Sequence, residues 1–221
     1  LIAALVAALP TFAFAAPTSY PLTIENCGRP VTFEKAPEKI VSIGQGMTEV
    51  LYSLGLADKV AGTAVWVGPV LSPYAEVDAK IKRLADNDPS FESVVSLEPD
   101  LVAAEFEWHV GPMGSVGKRE QFSDLGINTY VSPADCVAKT NVDGGDGVRN
   151  ELFKMDLIYR EITELSKIFD VEDKGTALIA DLKQREAAAV ASIKGVELKN
   201  LPIVFWYSSK ETKGDAFIAG K

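Results

Sequence analysis

Histidine, cysteine and excess basic charge are scarce in this chain of 221 residues. It contains 1 His, His109, and 2 Cys, Cys27 and Cys136. A zinc or manganese protein needs several His and carboxylate ligands that converge, and two distant cysteines lack zinc-type spacing, so we expect no metal centre. The 22 Lys and Arg are outnumbered by 31 Asp and Glu, which gives a net charge of -9. This acidity argues against nucleic acid or an anionic membrane surface as the partner, because both would repel the protein.

The chain also lacks the motifs of two common enzyme classes. GQGMTE supplies only the first two glycines of the dinucleotide-binding pattern G-x-G-x-x-G, and Glu49 stands where the third belongs. An acidic side chain there would face a pyrophosphate unfavourably. There is no G-x-S-x-G motif, and a single His is little material for a catalytic triad. We therefore expect no enzyme activity, and a Rossmann-like enzyme is the weaker alternative.

An apolar run, LIAALVAALPTFAFAAP, opens the chain and is too short to span a bilayer. Ala13, Phe14 and Ala15 fit the small-x-small rule of secretory cleavage sites, so we expect residues 1–15 to be the remnant of a signal peptide. The initiator Met and the basic start of such a signal are absent, and we expect a truncated N-terminus. The consequence is a periplasmic or otherwise extracytoplasmic protein.

Export makes a disulfide between Cys27 and Cys136 possible, because an oxidising compartment permits it. In the chain-entropy model, closing a loop of about a hundred residues stabilises the fold by at most roughly 4 to 5 kcal/mol. Two unpaired thiols are the alternative.

Apolar runs and amphipathic stretches alternate over residues 20–148, which predicts an α/β lobe with a mainly parallel sheet. A hairpin is predicted from Leu22 to Phe33. Buried strands are predicted over Ile40 to Ile43, Val60 to Ala64, Ile81 to Leu84, Leu101 to Ala104 and the segment INTYV. Helices are predicted over GQGMTEVLYSLGL, over a short stretch capped by Asp88, and over Lys118 to Leu125.

The stretch NELFKMDLIYREITELSKIF, residues 150–169, predicts a helix of about five turns. Its apolar stripe consists of Met155, Ile158, Ile162, Leu165 and Phe169, and its opposite side carries Lys154, Arg160, Glu161, Glu164 and Lys167. We interpret this helix, within residues 149–170, as a connector between two α/β lobes. The alternative is one more helix packed on a single domain.

Residues 171–221 are predicted to begin a C-terminal α/β lobe. Its helix carries Leu178, Leu182 and Ile193 on the apolar side, and a new strand pattern starts at Leu201 and runs to Tyr207. The segment NVDGGDG, residues 141–147, is a flexible boundary by composition. We expect the second lobe to be incomplete and the fragment to be poorly soluble, because missing strands would leave apolar surface uncovered.

Ligands of parallel α/β lobes bind beyond the carboxyl ends of the strands. The loops at these ends, in both predicted lobes, carry the candidate ligand-binding residues Gln45, Met47, Trp66, Glu105, Trp108, His109, Trp206 and Tyr207, with Lys210 nearby. Aromatic faces would grip a flat macrocycle or a catechol-rich chelate, although each Trp is as well explained by packing on its own lobe.

The histidine and the scarcity of basic residues bear on the ligand. An exposed His109 would ligate haem iron or hydrogen-bond an anionic chelate, and simple solvation is the alternative. Few Arg or Lys lie in these loops, which weakens the case for a strongly anionic tris-catecholate.

Four stretches carry a family resemblance: PEKIVSIGQGMTEVLYSLGLADKVAG, PSFESVVSLEPDLVAAE, QFSDLGINTYV and VFWYSSKETKGDAFIAGK. In this order and spacing, from about Cys27 to the end, the chain resembles the periplasmic substrate-binding proteins of ABC importers for ferric siderophores, cobalamin and haem. The resemblance implies two Rossmann-like lobes with mainly parallel sheets, joined by one long helix, with the second lobe truncated here. It also implies a shallow cleft that closes little on binding.

The resemblance further suggests a role for Glu49, in the motif MTEVLYSLG. In the family, the Glu at this motif position lies on the exposed tip of the lobe and pairs with arginines of the membrane permease. An acidic residue near a helix start is favoured by the helix dipole, and a surface ion pair steers docking. A plain first-turn Glu is the alternative.

These features predict a monomeric solute receptor that delivers a ferric siderophore-type iron chelate to an ABC permease in the inner membrane. Cobalamin or haem is the alternative cargo, and no cofactor is expected. A purely structural adhesion protein would explain export and acidity, but not the aromatic residues that follow buried strands.

Overall fold

The computed structural model describes residues 16–141, 148–195, 204–205 and 217–218. The predicted signal remnant, most of the predicted boundary segment and most of the strand predicted to start at Leu201 lie outside the described residues. The chain divides into two units, residues 1–182 and residues 183–221.

The strands form one parallel sheet and several small antiparallel pairs. Their bounds are β1 (Leu22–Asn26), β2 (Arg29–Phe33), β3 (Ile40–Ile43), β4 (Val60–Ala64), β5 (Lys82–Ala85), β6 (Leu101–Ala104), β7 (Asn128–Val131), β8 (Lys139–Thr140), β9 (Val148–Arg149), β10 (Val204–Phe205) and β11 (Phe217–Ile218). The five-stranded sheet has the order β5-β4-β3-β6-β7, and all of its neighbouring strands are parallel. The predicted α/β class with a mainly parallel sheet is therefore confirmed.

Helices follow most of these strands. They are α1 (Gln45–Ser53), α2 (Ala75–Asp78), α3 (Phe91–Val95), α4 (Glu107–Val110), α5 (Arg119–Asp124), α6 (Pro133–Cys136), α7 (Asp156–Ile168) and α8 (Glu172–Ser192), with 3₁₀ turns at Ala57–Lys59 and Ser72–Tyr74.

Both faces of the parallel sheet are buried, as alternate residues of its central strands show. Ile40 and Leu101 pack into one core with α1 and α7. Val41 and Val102 pack into the other core with α3 and α5. Since successive side chains of a strand point to opposite faces, continuous apolar runs such as IVSI and LVAA are the expected sequence of such strands.

The buried side chain of Arg119 fastens the β1–β2 hairpin to the edge strand β7. Its guanidinium donates to the main-chain and side-chain oxygens of Asn26 at 3.0 and 3.1 Å, and to the side-chain and main-chain oxygens of Thr129 at 2.9 and 3.1 Å. Burial lowers the pKa of Arg119 to about 10. These acceptors offset the cost of burying its charge.

A disulfide joins Cys27 and Cys136, the pair considered from the sequence, with 5.5 Å between their Cα atoms. It connects the turn of the hairpin to α6 across a separation of 109 residues. All five strands of the parallel sheet lie between the two cysteines.

The helix predicted over residues 150–169 is shorter in the structure, where α7 begins at Asp156 and ends at Ile168. The preceding chain is held in another conformation, because β9 pairs with β8 and the Asn150 amide donates to the Ala138 carbonyl at 3.0 Å. Four residues of the predicted apolar stripe, Ile158, Ile162, Leu165 and Phe169, pack into the same core as β3 and α1. Met155 was expected in the stripe, but it precedes the helix and is exposed. The role of this helix as a connector, and the lobe boundaries, stay predictions.

Two further details differ from the sequence expectations. Asp88 does not cap α3: Ser90 does, with its Oγ accepting from the Ser93 amide at 3.1 Å. Ile193 was expected on the apolar side of the second helix, but it follows the end of α8 and is exposed. Leu178 and Leu182 do pack against the core. Among the described helices, none has the length and apolar composition that crossing a membrane requires.

We expect Leu165→Ala to lower the free energy of unfolding by about 2 to 5 kcal/mol, because it opens a cavity in the core beneath α7. Leu165 is 0% exposed, whereas Leu152 is 80% exposed, so Leu152→Ala is a matched control with an expected change within about 0.5 kcal/mol. Urea titrations of both variants make the comparison. Equal stabilities of the two variants would show that α7 is not part of this core.

Replacing both cysteines by serine is expected to lower the free energy of unfolding by up to about 4 to 5 kcal/mol, because the unfolded chain regains the freedom of a long loop. Reduction of the unmodified protein before urea titration should give a similar loss. An unchanged unfolding midpoint in either sample would contradict the stabilising role of the bond.

Candidate functional site

The strand order places a crevice at the carboxyl ends of β3 and β6. The chain runs from β3 outward through β4 to β5 on one side, and through β6 to β7 on the other, so the connections diverge between β3 and β6. Ligands of open α/β sheets bind at such a topological switch point. We therefore take this crevice as the candidate site.

Two adjoining cavities occupy the crevice, with volumes of about 300 and 330 Å³. They share Gly46, Glu105 and Phe106. The first is also lined by Met47, Val50, Ser132, Ala134, Asp135, Ile158 and Glu161, and the second by Gln45, Glu49, Val65, Val67 and Gly68. The combined surface is mainly apolar side chains and carboxylates.

Glu105 follows β6 and places its carboxylate over the first turn of α1. Its Oε2 accepts from the Gly46 amide at 2.8 Å. Gly44 makes this approach possible: a Cβ atom there would lie 2.3 Å from the Glu105 Cβ, and its φ of 118° suits only glycine. Burial raises the pKa of the Glu105 carboxyl, and the amides of Gly46 and Met47 oppose that shift.

Glu161 of α7 is a buried carboxyl group at the base of the first cavity, with 3% of its surface exposed. The Ser132 hydroxyl, at the end of β7, donates to it. Burial raises the pKa of Glu161 to about 7, and the nearby Glu105 and Glu164 add to the shift, while the bond from Ser132 opposes it. A buried carboxyl of raised pKa in a cleft is a recognised mark of a functional site.

The sequence missed this group, because Glu161 was assigned to the polar side of the helix. It lies three residues after Ile158 and four before Leu165, so a helical wheel places it within the apolar stripe. An acidic residue inside an apolar stripe is the signal that would have found it. Ser132 and Asp135 were also missed, and no local pattern distinguishes them.

Asp135 of α6 is held in place by three partners. Its Oδ2 accepts from the Glu107 amide at 2.7 Å and from the Asn141 side-chain amide at 3.5 Å, and its Oδ1 pairs with Lys139. It is buried and lines the same cavity as Glu161.

Gln45 and Glu49 anchor the loop after β4. Gln45 Oε1 accepts from the Val67 and Gly68 amides at 3.2 and 3.0 Å. Glu49 Oε1 accepts from the Leu71 amide at 2.9 Å and from Gln45 Nε2 at 3.1 Å. Glu49 is the fifth residue of α1, so the expected first-turn position was wrong and the helix-dipole argument does not apply to it.

Trp66 and Trp108 differ in their partners and in the fraction of their surface that is exposed to solvent. Trp66 is half-buried, its indole donates to Thr63 Oγ1 at 3.2 Å, and the Arg83 guanidinium lies 4.5 Å from its ring centre. This is packing on its own lobe. Trp108, in α4, is 43% exposed, and its indole donates to Asp88 Oδ2 at 3.3 Å.

His109 is buried rather than exposed, which corrects the sequence expectation. Only 3% of its surface is accessible, and its Nε2 lies 3.2 Å from Asp88 Oδ1. Burial lowers the pKa of His109, and Asp88 opposes that shift. The ring is part of the packing between α4 and the loop before α3, so it is not offered to a ligand.

Met47 is fully buried, and its position at the cavity floor makes it both a core and a lining residue. The candidate residues Trp206, Tyr207 and Lys210 lie outside the described residues. Within the described part of the chain, no group of three or more His, Cys, Asp and Glu side chains is arranged to hold a metal ion. Carboxylates and apolar side chains line most of the crevice, and its size suits a small molecule.

The sequence of this chain matches a protein family and is similar to known proteins. A family model described as "Periplasmic binding protein" matches residues 40–221. The chain is 28% identical over 166 residues to the uncharacterized ABC transporter substrate-binding lipoprotein YvrC of Bacillus subtilis, which covers 74% of this chain and 45% of that protein. It is 30% identical over 121 residues to the vitamin B12-binding protein of Vibrio vulnificus, which covers 53% of this chain and 39% of that protein.

A solved structure is similar over a comparable extent. The ABC-type Fe³⁺-hydroxamate transport system protein of Saccharomonospora viridis matches with a TM-score of 0.64 and 26% identity, over 79% of this chain and 57% of that one. This chain spans less than half the length of the two curated relatives named above.

Glu161→Gln should change how stability depends on pH. The folded-state pKa of Glu161, about 7, lies above the usual 4.5, so the folded protein binds this proton more tightly than the unfolded chain does. Its contribution to stability is present below pH 4.5 and is lost as pH rises to about 7. Over this pH range we expect the free energy of unfolding of the unmodified protein to fall by on the order of 3 kcal/mol because of Glu161, and we expect the Gln variant to lack this decrease. Urea titrations from pH 4 to 8 measure this, and parallel curves for the two proteins would contradict it.

Proposed function

The chain belongs to the periplasmic binding protein family, whose model matches residues 40–221, and from that premise we propose that it is a receptor for an iron chelate. Members of this family are substrate-binding proteins and not enzymes. The chelate is of the ferric siderophore type, and the receptor delivers it to an ABC importer from an extracytoplasmic compartment.

The crevice at the switch point is the observation that carries this proposal. It combines two adjoining cavities with the partly exposed ring of Phe106, which lines both of them, and the partly exposed Trp108 follows two residues later in α4. Such a surface suits one side of a bulky chelate, because aromatic rings provide large contact area at little entropic cost. The similarity to the hydroxamate transport protein favours a siderophore.

Cobalamin is the second candidate cargo, because a relative at 30% identity is a vitamin B12-binding protein. Haem is a weaker candidate, because the His109 imidazole is buried and so is not accessible as an axial ligand of haem iron.

The proposed partner is an ABC permease in the inner membrane, approached by a monomeric receptor. Glu49 is half-buried and already accepts two hydrogen bonds through Oε1. If Glu49 takes part in docking, the loop that it anchors, residues 67–71, would contact the permease as well. This loop carries the exposed Val67 and Leu71.

We expect a ferric siderophore to quench the tryptophan fluorescence of the full-length protein saturably, at micromolar or lower concentration. Trp108→Phe should remove much of this quenching, because Trp108 is partly exposed and lies two residues after Phe106, which lines both cavities. Trp66→Phe is the matched control, since Trp66 packs under Arg83 on its own lobe, and it should retain the response. Absence of saturable quenching by siderophores, cobalamin and haem alike would contradict the proposed function.

A further inference from the structure

We propose that the cargo presents no negative charge to this lobe, so that the receptor selects electrically neutral or cationic chelates over polyanionic ones. This inference rests on the proposed function and defines the charge class of the ligand of the same crevice. The argument uses the groups that line the two cavities and the state of the cations around them.

Carboxylates supply the charge of the crevice. Glu105, Asp135 and Glu161 line the first cavity, and Glu49 and Glu105 line the second. Lys139 offsets the charge of Asp135, so the uncompensated negative charge comes from Glu49, Glu105 and, above about pH 7, Glu161. Among the described residues, no Lys or Arg lines either cavity. An anion placed here would meet like charges in partly desolvated surroundings, where repulsion is stronger than in water.

The start of α1 would ordinarily offset this, because a helix N-terminus attracts anions. Here the position is already taken by the protein itself. The Glu105 carboxylate accepts from the Gly46 amide at 2.8 Å, and the absence of a Cβ at Gly44 lets Glu105 approach this closely. A ligand anion would have to displace Glu105 from the helix start to reach these amides.

Three cations that contact lining residues or their chain neighbours take part in other interactions. Lys139 pairs with Asp135. Arg149 donates to the Ala134 and Val137 carbonyls. Arg83 lies over the Trp66 ring and pairs with Asp78 at 3.3 Å. A ligand carboxylate or phenolate would have to break one of these contacts to gain a positive partner.

The remaining lining of the crevice is apolar, and it contains Met47, Val50, Phe106 and Ile158. A chelate with an apolar periphery and without excess negative charge matches this combination. In a ferric trihydroxamate the three ligand charges balance those of the metal, and the periphery of cobalamin carries uncharged amides. A ferric tris-catecholate retains three negative charges, and haem carries two carboxylates.

The test compares four cargoes on the full-length protein: a ferric trihydroxamate, cobalamin, haem and a ferric tris-catecholate, by fluorescence titration at low ionic strength. We expect one of the two neutral cargoes to bind at least about tenfold more tightly than either anionic one. Tighter binding of the tris-catecholate or haem would overturn this inference and leave the proposed receptor function intact. Binding of none of them would overturn the receptor function itself.

Charge-removing variants locate the effect. Glu105→Gln keeps an oxygen that can accept from the Gly46 amide, and it removes one negative charge. The ratio of the dissociation constants of the tris-catecholate and the preferred neutral cargo should therefore fall by up to about tenfold. Glu34→Gln is the matched control, because it makes the same charge change on an exposed residue near the amino ends of the strands, beside Asp100 and Asn128. An equal effect of both variants would assign the discrimination to net charge and overturn the inference.

Glu161→Gln serves as a second variant should Glu105→Gln not fold, as judged by circular dichroism. It removes the most deeply buried carboxyl of the crevice without changing the side-chain volume. At pH 8, where the Glu161 carboxyl is mostly charged, it should reduce the affinity ratio between neutral and anionic cargoes in the same direction. No change in either variant that folds would count against the proposal.

Discussion

The binding face of this lobe depends on one contact, the placement of the Glu105 carboxylate over the start of α1. It satisfies the Gly46 amide, which the helix itself leaves unpaired, and it joins the ends of β3 and β6 at the switch point. The glycines on either side of Gln45 give it room. A helix start, which in other proteins can bind a phosphate, is thus occupied by an internal anion, and the crevice is left with a negative surface.

Helix α7 supplies the other half of this surface and shows how stability and binding compete. Its apolar stripe closes the core on one face of the sheet, yet within that stripe stands Glu161, whose carboxyl group is costly to bury in its charged form. An apolar residue there would make a more stable core. The carboxyl group gives the first cavity a polar, titratable lining residue instead.

The sequence predicts the sheet well, because buried parallel strands are continuous apolar runs such as IVSI and LVAA that local pattern alone identifies. It also placed Glu105 directly after β6 and Gln45 shortly after β3, at the carboxyl ends of the strands, where both line the crevice, and their role in binding stays a prediction. It failed where a side chain's environment is set by distant partners: Asp88 was expected to cap α3 but instead meets His109 and Trp108, and His109 is buried by that contact. The start of α7 was also misplaced, because pairing between β8 and β9 overrides the helical pattern of residues 150–155.

The disulfide has a mechanical consequence. All five strands of the parallel sheet lie between Cys27 and Cys136, inside a covalently closed loop. A pull applied to the chain on both sides of this loop passes directly from one cysteine to the other and bypasses the hydrogen bonds of the strands. A motor that draws on the polypeptide can peel away α7 and α8, but the sheet between the cysteines carries no tension until the sulfur–sulfur bond is reduced.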